Sequence, residues 1–264
     1  MKFTKMQGLG NDYLYVFGPV PEDAAEWSLR LSDRHFGPGA DGMIWITPSE
    51  RADFGMRIFN ADGSEAKMCG NGIRCVGKYV RDKGHTDKRS LTVETLSGVK
   101  RLSLHLTEGK VSSVTVDMGR AAVSGERELD LGTEKLRCTP VDVGNPHAVT
   151  FVEDAEAVPL ETLGPRVEKH PAFPGGVNAE FVQPLDARRL RMRVWERGSG
   201  VTLACGTGAC ASAAAAVRRG FCPPGEPIDV LLDGGTLTVR VSEEGAVEMT
   251  GPCEFVCEGD TEIC

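Results

Sequence analysis

The feature that most constrains this 264-residue chain is an internal duplication. "MCGNGIRC" at 68–75 returns as "ACGTGACA" at 204–211, so Cys69 and Cys205 each head a Gly-x-Gly and lie 136 positions apart. The repeat extends well beyond the cysteines. "MRIFNADGSEAKMC" (56–69) matches "MRVWERGSGVTLAC" (192–205) at the same offset, and "YVRDKG" ends at Gly84 where "AVRRG" ends at Gly220. "GNDYLYVF" (10–17) pairs with "GNPHAVTF" (144–151) at an offset of 134, and "VSSVTVDMG" (111–119) with "EEGAVEMTG" (243–251) at 132. Small drifts of this kind are what loop insertions and deletions leave behind. Solenoid repeats run about 20–50 residues, so a period this long implies two copies of a domain, expected to face each other across a pseudo-two-fold with a cleft between them. The copies end near Gly119 and near Gly251, which makes the C-terminal tail return to the first lobe. The expected lobes are 1–113 with 251–264, and 114–250.

Local patterns within the copies agree. "MRIFN", "SLTVETL", "VKRLSLHL" and "VSSVTVDM" read as strands punctuated by Gly, Asn, Asp and Pro. After each cysteine the period changes. Ile73, Val76 and Val80 fall at i, i+3 and i+7, Arg81 and Lys83 occupy the last turn, and Gly84 stands where a C′ glycine belongs. The second copy, 205–219, is almost wholly small and apolar before Arg218, Arg219 and Gly220, the composition of a helix buried on all sides. Each lobe therefore reads as a curved antiparallel sheet about one central helix, with a peripheral helix at 24–34 and at 159–169.

Composition narrows the function. Hydrophobic content of 41%, charged content of 26% and a mean hydropathy of −0.19 describe a globular chain. A net charge of −8 and a pI near 5.3 exclude a nucleic-acid or anionic-membrane footprint. The opening "MKFTKMQGLGND" has no signal-peptide core, and no run reaches the roughly 18 apolar residues of a membrane span. Nine cysteines, an odd number, fit reduced thiols in a cytoplasm better than a disulfide framework.

Three chemistries compete for Cys69 and Cys205. As buried hydrophobes they explain neither the duplication nor glycines that disfavour a first helical turn by up to about 1 kcal/mol each. A metal site fails on spacing: Cys69 and Cys75 are six apart and Cys205 and Cys210 five, so at about 100° per residue neither pair shares a face. The Lys-Ser/Thr ending of a phosphate loop is also missing. Acid/base catalysis fits. A helix N-terminus offers unsatisfied N–H groups and a partial positive charge, suited to a substrate carboxylate and to a thiolate. Two such thiols on opposite sides of one carbon are what inversion at a C–H centre needs: one removes a proton, and the other delivers one to the opposite face. The residues point to a racemase or epimerase.

The sequence also resembles the diaminopimelate epimerases along its whole length, through "GLGNDYL", "GADG", "FNADGSEAKMCGNGIRC", "VGNPHAV", "GVNAEFV", "VWERGSGVTLACGTGACA" and "MTGPCEFV". That resemblance implies an α/β (α+β) fold of two pseudo-symmetric lobes, each a curved mixed sheet wrapped around a central helix. It further implies a cytoplasmic, cofactor-independent isomerase, typically homodimeric and without a metal, that interconverts LL- and meso-diaminopimelate for lysine and peptidoglycan synthesis. Carried across by position, Cys69 and Cys205 are the acid/base pair. Gly70 with Asn71, and Gly206 with Thr207, offer N–H groups to the carboxylate at the reacting centre. His147 and Glu196 surround the amino group there, and Asn11, Asn60, Asn145, Asn178 and Arg197 bind the rest of the substrate. One position departs from a frequent family pattern: Gly42 follows Asp41 where many relatives carry glutamine.

Other readings stay open on the sequence. Asn11 and Asn178 are also ordinary turn residues, His147 a loop histidine, and Glu196–Arg197 a solvated pair. A related racemase acting on proline, hydroxyproline or histidine would use the same cysteines, although Asn60, Asn178 and Arg197 favour a substrate with a second zwitterionic end. A thiol hydrolase using one cysteine with His147, and a non-catalytic amino-acid binding module, are the remaining classes.

Overall fold

The computed structural model describes residues 1–132 and 134–262. Its elements run β1 (Lys2–Gly8), β2 (Asn11–Phe17), α1 (Ala24–Ser32), β3 (Gly42–Thr47), β4 (Phe54–Asn60), β5 (Glu65–Ala66), α2 (Gly70–Asp82), β6 (Ser90–Thr95), β7 (Gly98–Thr107) and β8 (Lys110–Arg120). They continue as β9 (Ala122–Val123), β10 (Arg127–Asp130), β11 (Lys135–Asp142), β12 (Pro146–Phe151), α3 (Leu160–Glu168), β13 (Asn178–Asp186), β14 (Arg189–Glu196), β15 (Gly200–Val201), α4 (Gly206–Arg218), β16 (Pro227–Leu232), β17 (Gly235–Val241), β18 (Ala246–Pro252) and β19 (Glu254–Asp260). The chain divides into two compact units, Met1–Asp117 with Gly251–Cys264, and Met118–Thr250.

In the first unit the strands lie in the order β19-β1-β2-β3-β4-β6-β7-β8. The second unit repeats the order as β10-β11-β12-β13-β14-β16-β17-β18. Each sheet is mixed, which corrects the antiparallel reading of the local patterns. The parallel pairs are β2–β3 and β4–β6 in one unit and β12–β13 and β14–β16 in the other. All four are joined through a helix, as parallel neighbours require: α1 and α2 make the crossovers of the first unit, α3 and α4 those of the second.

The central helices follow the sequence closely. Ile73, Val76 and Val80 on α2 are fully buried, and α2 packs on β1, β2 and β7. Every residue of α4 from Gly208 to Ala216 is buried, with β11, β12, β13, β14, β16 and β17 around it. Each helix closes on a left-handed C′ glycine, Gly84 at φ 79° and Gly220 at φ 78°. His85 N–H bonds to Val80 O at 2.9 Å and Phe221 N–H to Ala216 O at 2.9 Å, so both ends are Schellman caps. The peripheral helices pack elsewhere, α1 on β3 and β4 through Ala24, Ser28 and Leu31, and α3 on β13 and β14 through Leu160, Leu163 and Val167. No described helix is long and apolar enough to cross a membrane.

Candidate active site

Both duplicated cysteines are N-caps. Cys69 takes extended backbone angles (φ −135°, ψ 116°) and its Sγ accepts the Gly72 N–H at 3.3 Å. Cys205 does the same (φ −114°, ψ 108°), accepting the Gly208 N–H at 3.3 Å. A sulfur thus replaces the usual capping oxygen, held beside the first-turn N–H groups and the positive end of its helix.

The second glycine of each motif is required by packing inside the protein. A Cβ on Gly72 would stand 2.6 Å from Ile44 Cδ1, and one on Gly208 would stand 2.9 Å from Glu180 Oε1 and 3.2 Å from Cys205 Sγ. Ile44 and Glu180 are 136 positions apart. The duplicated architecture therefore places an apolar side chain under one helix and a carboxyl under the other.

Around Cys69 the thiol donates to Asn11 Oδ1 at 3.4 Å. Asn11 is turned that way because its Nδ2 donates to Asp41 Oδ2 at 2.7 Å. Arg34 holds Asp41 at 2.9 Å and Asp12 at 2.6 Å. Burial alone would raise the Asp12 carboxyl, but hydrogen bonds from Arg34 and Lys5 hold it below its ordinary 3.8. Tyr13 is buried beside the cysteine, and its phenol is pushed up first by burial and then by the charges of Cys69 and Asp41. Under the first turn lies Arg74, fully buried, donating to Gly70 O at 3.1 Å, Asn71 Oδ1 at 3.0 Å and Pro252 O at 3.1 Å. Asn60 serves a local turn: its Nδ2 donates to Ser64 Oγ at 3.0 Å and its backbone N–H to Ser64 O at 2.8 Å.

Around Cys205 the groups are acidic. His147 and Glu180 are buried with Nδ1 and Oε1 2.6 Å apart, and His147 Nε2 lies 3.0 Å from Asn145 Oδ1. Asn145 Nδ2 donates to Thr207 Oγ1 at 3.3 Å, and that hydroxyl lies 3.6 Å from Cys205 Sγ. Glu196 accepts from Thr202 at 2.5 Å and from Cys205. Burial, then the Glu180 charge, pushes the Glu196 carboxyl up. Burial, then the charges of Glu196 and Glu180, pushes the Cys205 thiol well above its ordinary 9.0.

Asn178 works as a brace, with Oδ1 accepting the Arg197 N–H at 2.8 Å and Nδ2 donating to Pro146 O at 3.2 Å. The exposed Arg197 guanidinium donates to Gly175 O at 2.9 Å and borders a cavity of about 470 Å³ shared with Lys169, His170 and Phe173. Gly42 occupies the β3 position that Asn178 occupies in β13, and a Cβ there would lie 2.3 Å from Phe59 O, so this backbone admits no side chain.

The structure thus joins Cys69 with Asn11, and Cys205 with Thr207, Asn145, His147 and Glu196, while Asn60 goes to a turn. Sequence reasoning missed Asp41, Tyr13, Arg74 and Glu180. Only Glu180 carried a signal, a lone acid in the apolar run "VNAEFV" opposite Ile44 of the other copy.

The profile of the diaminopimelate epimerase family matches residues 3–124 and 139–256. The chain is 48% identical over 279 residues to a diaminopimelate epimerase of Acetivibrio thermocellus, covering 100% of this chain and 99% of that protein. It is 49% identical over 280 residues to one of Methanococcus maripaludis, covering 100% of each. Among solved structures, a probable proline racemase of Agrobacterium radiobacter superposes with a TM-score of 0.75 over 100% of this chain and 93% of that one at 18% identity, a likeness of fold.

Proposed function

The chain belongs to the diaminopimelate epimerase family, and on that premise we propose that Cys69 and Cys205 invert one α-carbon of diaminopimelate from opposite faces. The reaction converts LL-2,6-diaminopimelate to the meso isomer, an amino-acid isomerisation that feeds lysine and peptidoglycan precursor synthesis. One sulfur, as thiolate, takes the α-proton, and the other, as thiol, gives its own proton to the opposite face. The sulfurs end with their protonation states exchanged, ready for the reverse reaction. Every proton is held by a side chain or the substrate, so the scheme uses no cofactor.

The observation that carries this reading is the matched pair of sulfur N-caps, each accepting a third-residue N–H at 3.3 Å. The first-turn N–H groups of Gly70 and Asn71, and of Gly206 and Thr207, are suited to the carboxylate on the reacting carbon, whose charge grows as the α-proton leaves. His147 and Glu196 border the α-amino group, and Glu196, pushed up by burial, gains most from that cation. Arg197, braced by Asn178, serves the distal carboxylate, with Asn11 and Asn145 lining the chain between. Burial and the neighbouring carboxylates favour the protonated form of Cys205 at rest. We also read the enzyme as a cytoplasmic homodimer, checked by a sedimentation mass of twice 28.3 kDa.

The test is proton NMR in D₂O without added cofactor. Diaminopimelate exchanges one α-proton and the meso isomer accumulates, whereas proline and histidine do not exchange. Cys69→Ala and Cys205→Ala each abolish epimerisation. Exchange of a simple amino acid in place of diaminopimelate would overturn the substrate, and epimerisation by either alanine variant would overturn the two-thiol mechanism.

A further inference from the structure

A cation lies buried at the N-terminal end of α2. Arg74 is 0% exposed, and its Nη1 donates to Gly70 O at 3.1 Å and to Asn71 Oδ1 at 3.0 Å. The guanidinium therefore sits within the first turn, the one that Cys69 caps. Its Nε donates to Pro252 O at 3.1 Å, and Nη2 is buried without a hydrogen-bond partner among the described residues. A Cβ on Gly8 would stand 2.9 Å from Nη2, so β1 is cut back to a glycine where the group passes. Among the described residues no carboxylate pairs with Arg74. The groups whose negative forms its charge favours are Cys75, Cys253, Cys69 and Tyr15.

Helix stability does not account for this placement. A guanidinium keeps its proton in a protein, and a helix N-terminus is already positive, so the helix dipole opposes a cation there. A buried charge is also costly unless an opposite charge answers it. The second unit has the reverse arrangement. Position 74 corresponds to Cys210, which is buried, while the acids Glu180 and Glu196 favour the protonated Cys205. In the first unit the counterparts of those two acids are Ile44 and Asn60. Two cysteine caps of the same backbone thus stand in fields of opposite sign.

We propose that Arg74 is a positioning residue for the anionic form of Cys69, its charge fixed under the first turn so that a thiolate there is stabilised from within the protein. This rests on the reading of Cys69 as an acid/base thiol. The other titratable groups around Cys69 in its unit are Tyr13 and Tyr15 on β2, Cys75 on α2, and Asp41 ahead of β3. Both phenols are pushed up, first by burial, and stay neutral. Asp41 is paired with Arg34 at 2.9 Å. Arg74 supplies the buried positive charge of this set. It exchanges no proton with the substrate, and its charge is the same before and after Cys69 gains one.

The test follows iodoacetamide alkylation of Cys69 in the full chain across pH, by peptide mass spectrometry, with Cys205 as the internal reference. Arg74→Met keeps the length of the side chain and removes its charge. It raises the Cys69 midpoint by about one pH unit, a tenfold loss of thiolate at fixed pH, and leaves the Cys205 midpoint in place. Arg74→Lys returns a cation and recovers at least half of the shift. In a Cys75→Ala background the Arg74→Met shift persists. Equal Cys69 midpoints in the parent and Arg74→Met, or a shift that lysine does not reduce, would leave Arg74 a brace for Gly70 and Pro252 and overturn the inference. A shift that vanishes without Cys75 would overturn it too, because the charge would then act on that thiol. If Arg74→Met does not fold, Arg74→Gln, which keeps a donor without the charge, gives the same shift and decides the matter. An active Cys69→Ala would instead remove the catalytic reading while leaving these shifts in place.

Discussion

At the scale of the residue, duplication has produced two cysteines with the same backbone and opposite surroundings. Cys69 faces an amide oxygen fixed by Asp41, whereas Cys205 faces two carboxyls. The consequence for pH can be signed. Burial and the charges of Glu196 and Glu180 favour the protonated sulfur, so Cys205 alkylation should reach half its limiting rate well above pH 9.0. Glu196→Gln removes one of those charges, so it should bring that midpoint down. A midpoint at or below 9.0 would show that the local donors outweigh the carboxyls. Asp41→Ala tests the other side. With Asn11 free to rotate, the thiol loses a fixed acceptor, and a drop of about tenfold in kcat is expected, equivalent to one modest hydrogen bond. Unchanged kcat would make Asp41 merely a clamp on Arg34. The cysteines were legible in the sequence because they repeat. Asp41, Tyr13 and Arg74 were not, because their roles arise from side-chain contacts between strands and helices far apart in the chain, which no local pattern records. Glu180 was half legible: alignment of the copies shows a carboxyl where the other has isoleucine, but not the histidine it meets.

At the scale of the element, the central helices could be read to within a residue at each end from apolar spacing, the cysteine at the start and the glycine at the stop. The strands could be read individually. Their parallel pairing could not, since alternation of apolar residues gives which face is buried and says nothing of direction. Direction is set by the crossovers through α1 and α2, and through α3 and α4. The Gly-x-Gly motif gives this scale its prediction. Alanine at position 72 places a methyl 2.6 Å from Cδ1 of the fully buried Ile44. Overpacking of this kind is unfavourable by about 1–3 kcal/mol, and the better helix preference of alanine recovers at most about 1 kcal/mol. Gly72→Ala should lower the melting temperature by several degrees. Gly208→Ala should do so too, and should also displace the Glu180 carboxyl and so alter the Cys205 alkylation profile, which Gly72→Ala leaves alone. Equal effects of the two on Cys205 would mean that the carboxyl does not occupy the space beside Gly208.

At the scale of the molecule, duplication supplies what a single unit lacks. Each unit carries one capped cysteine, and inversion of a carbon takes two. The two-base reading therefore commits the thiols to a common carbon, with each sulfur about 3–3.5 Å from it at the point of reaction. On opposite faces of that carbon the sulfurs would stand about 6–7 Å apart, so once the site is empty a closure of about 4–5 Å would bring them to the roughly 2.05 Å of a disulfide. Diamide, a two-electron thiol oxidant, should then join Cys69 to Cys205, with two electrons and two protons passing to the reagent. Activity should disappear and return with dithiothreitol, and bound diaminopimelate should protect. The chain contains its own control. Cys75 and Cys253 lie in hydrogen-bonding contact within the first unit, both buried. Peptide mapping that finds only the Cys75–Cys253 link, or inactive protein with Cys69 and Cys205 still reduced, would show that the two capped sulfurs do not meet. The premise of one shared carbon would then fall with them.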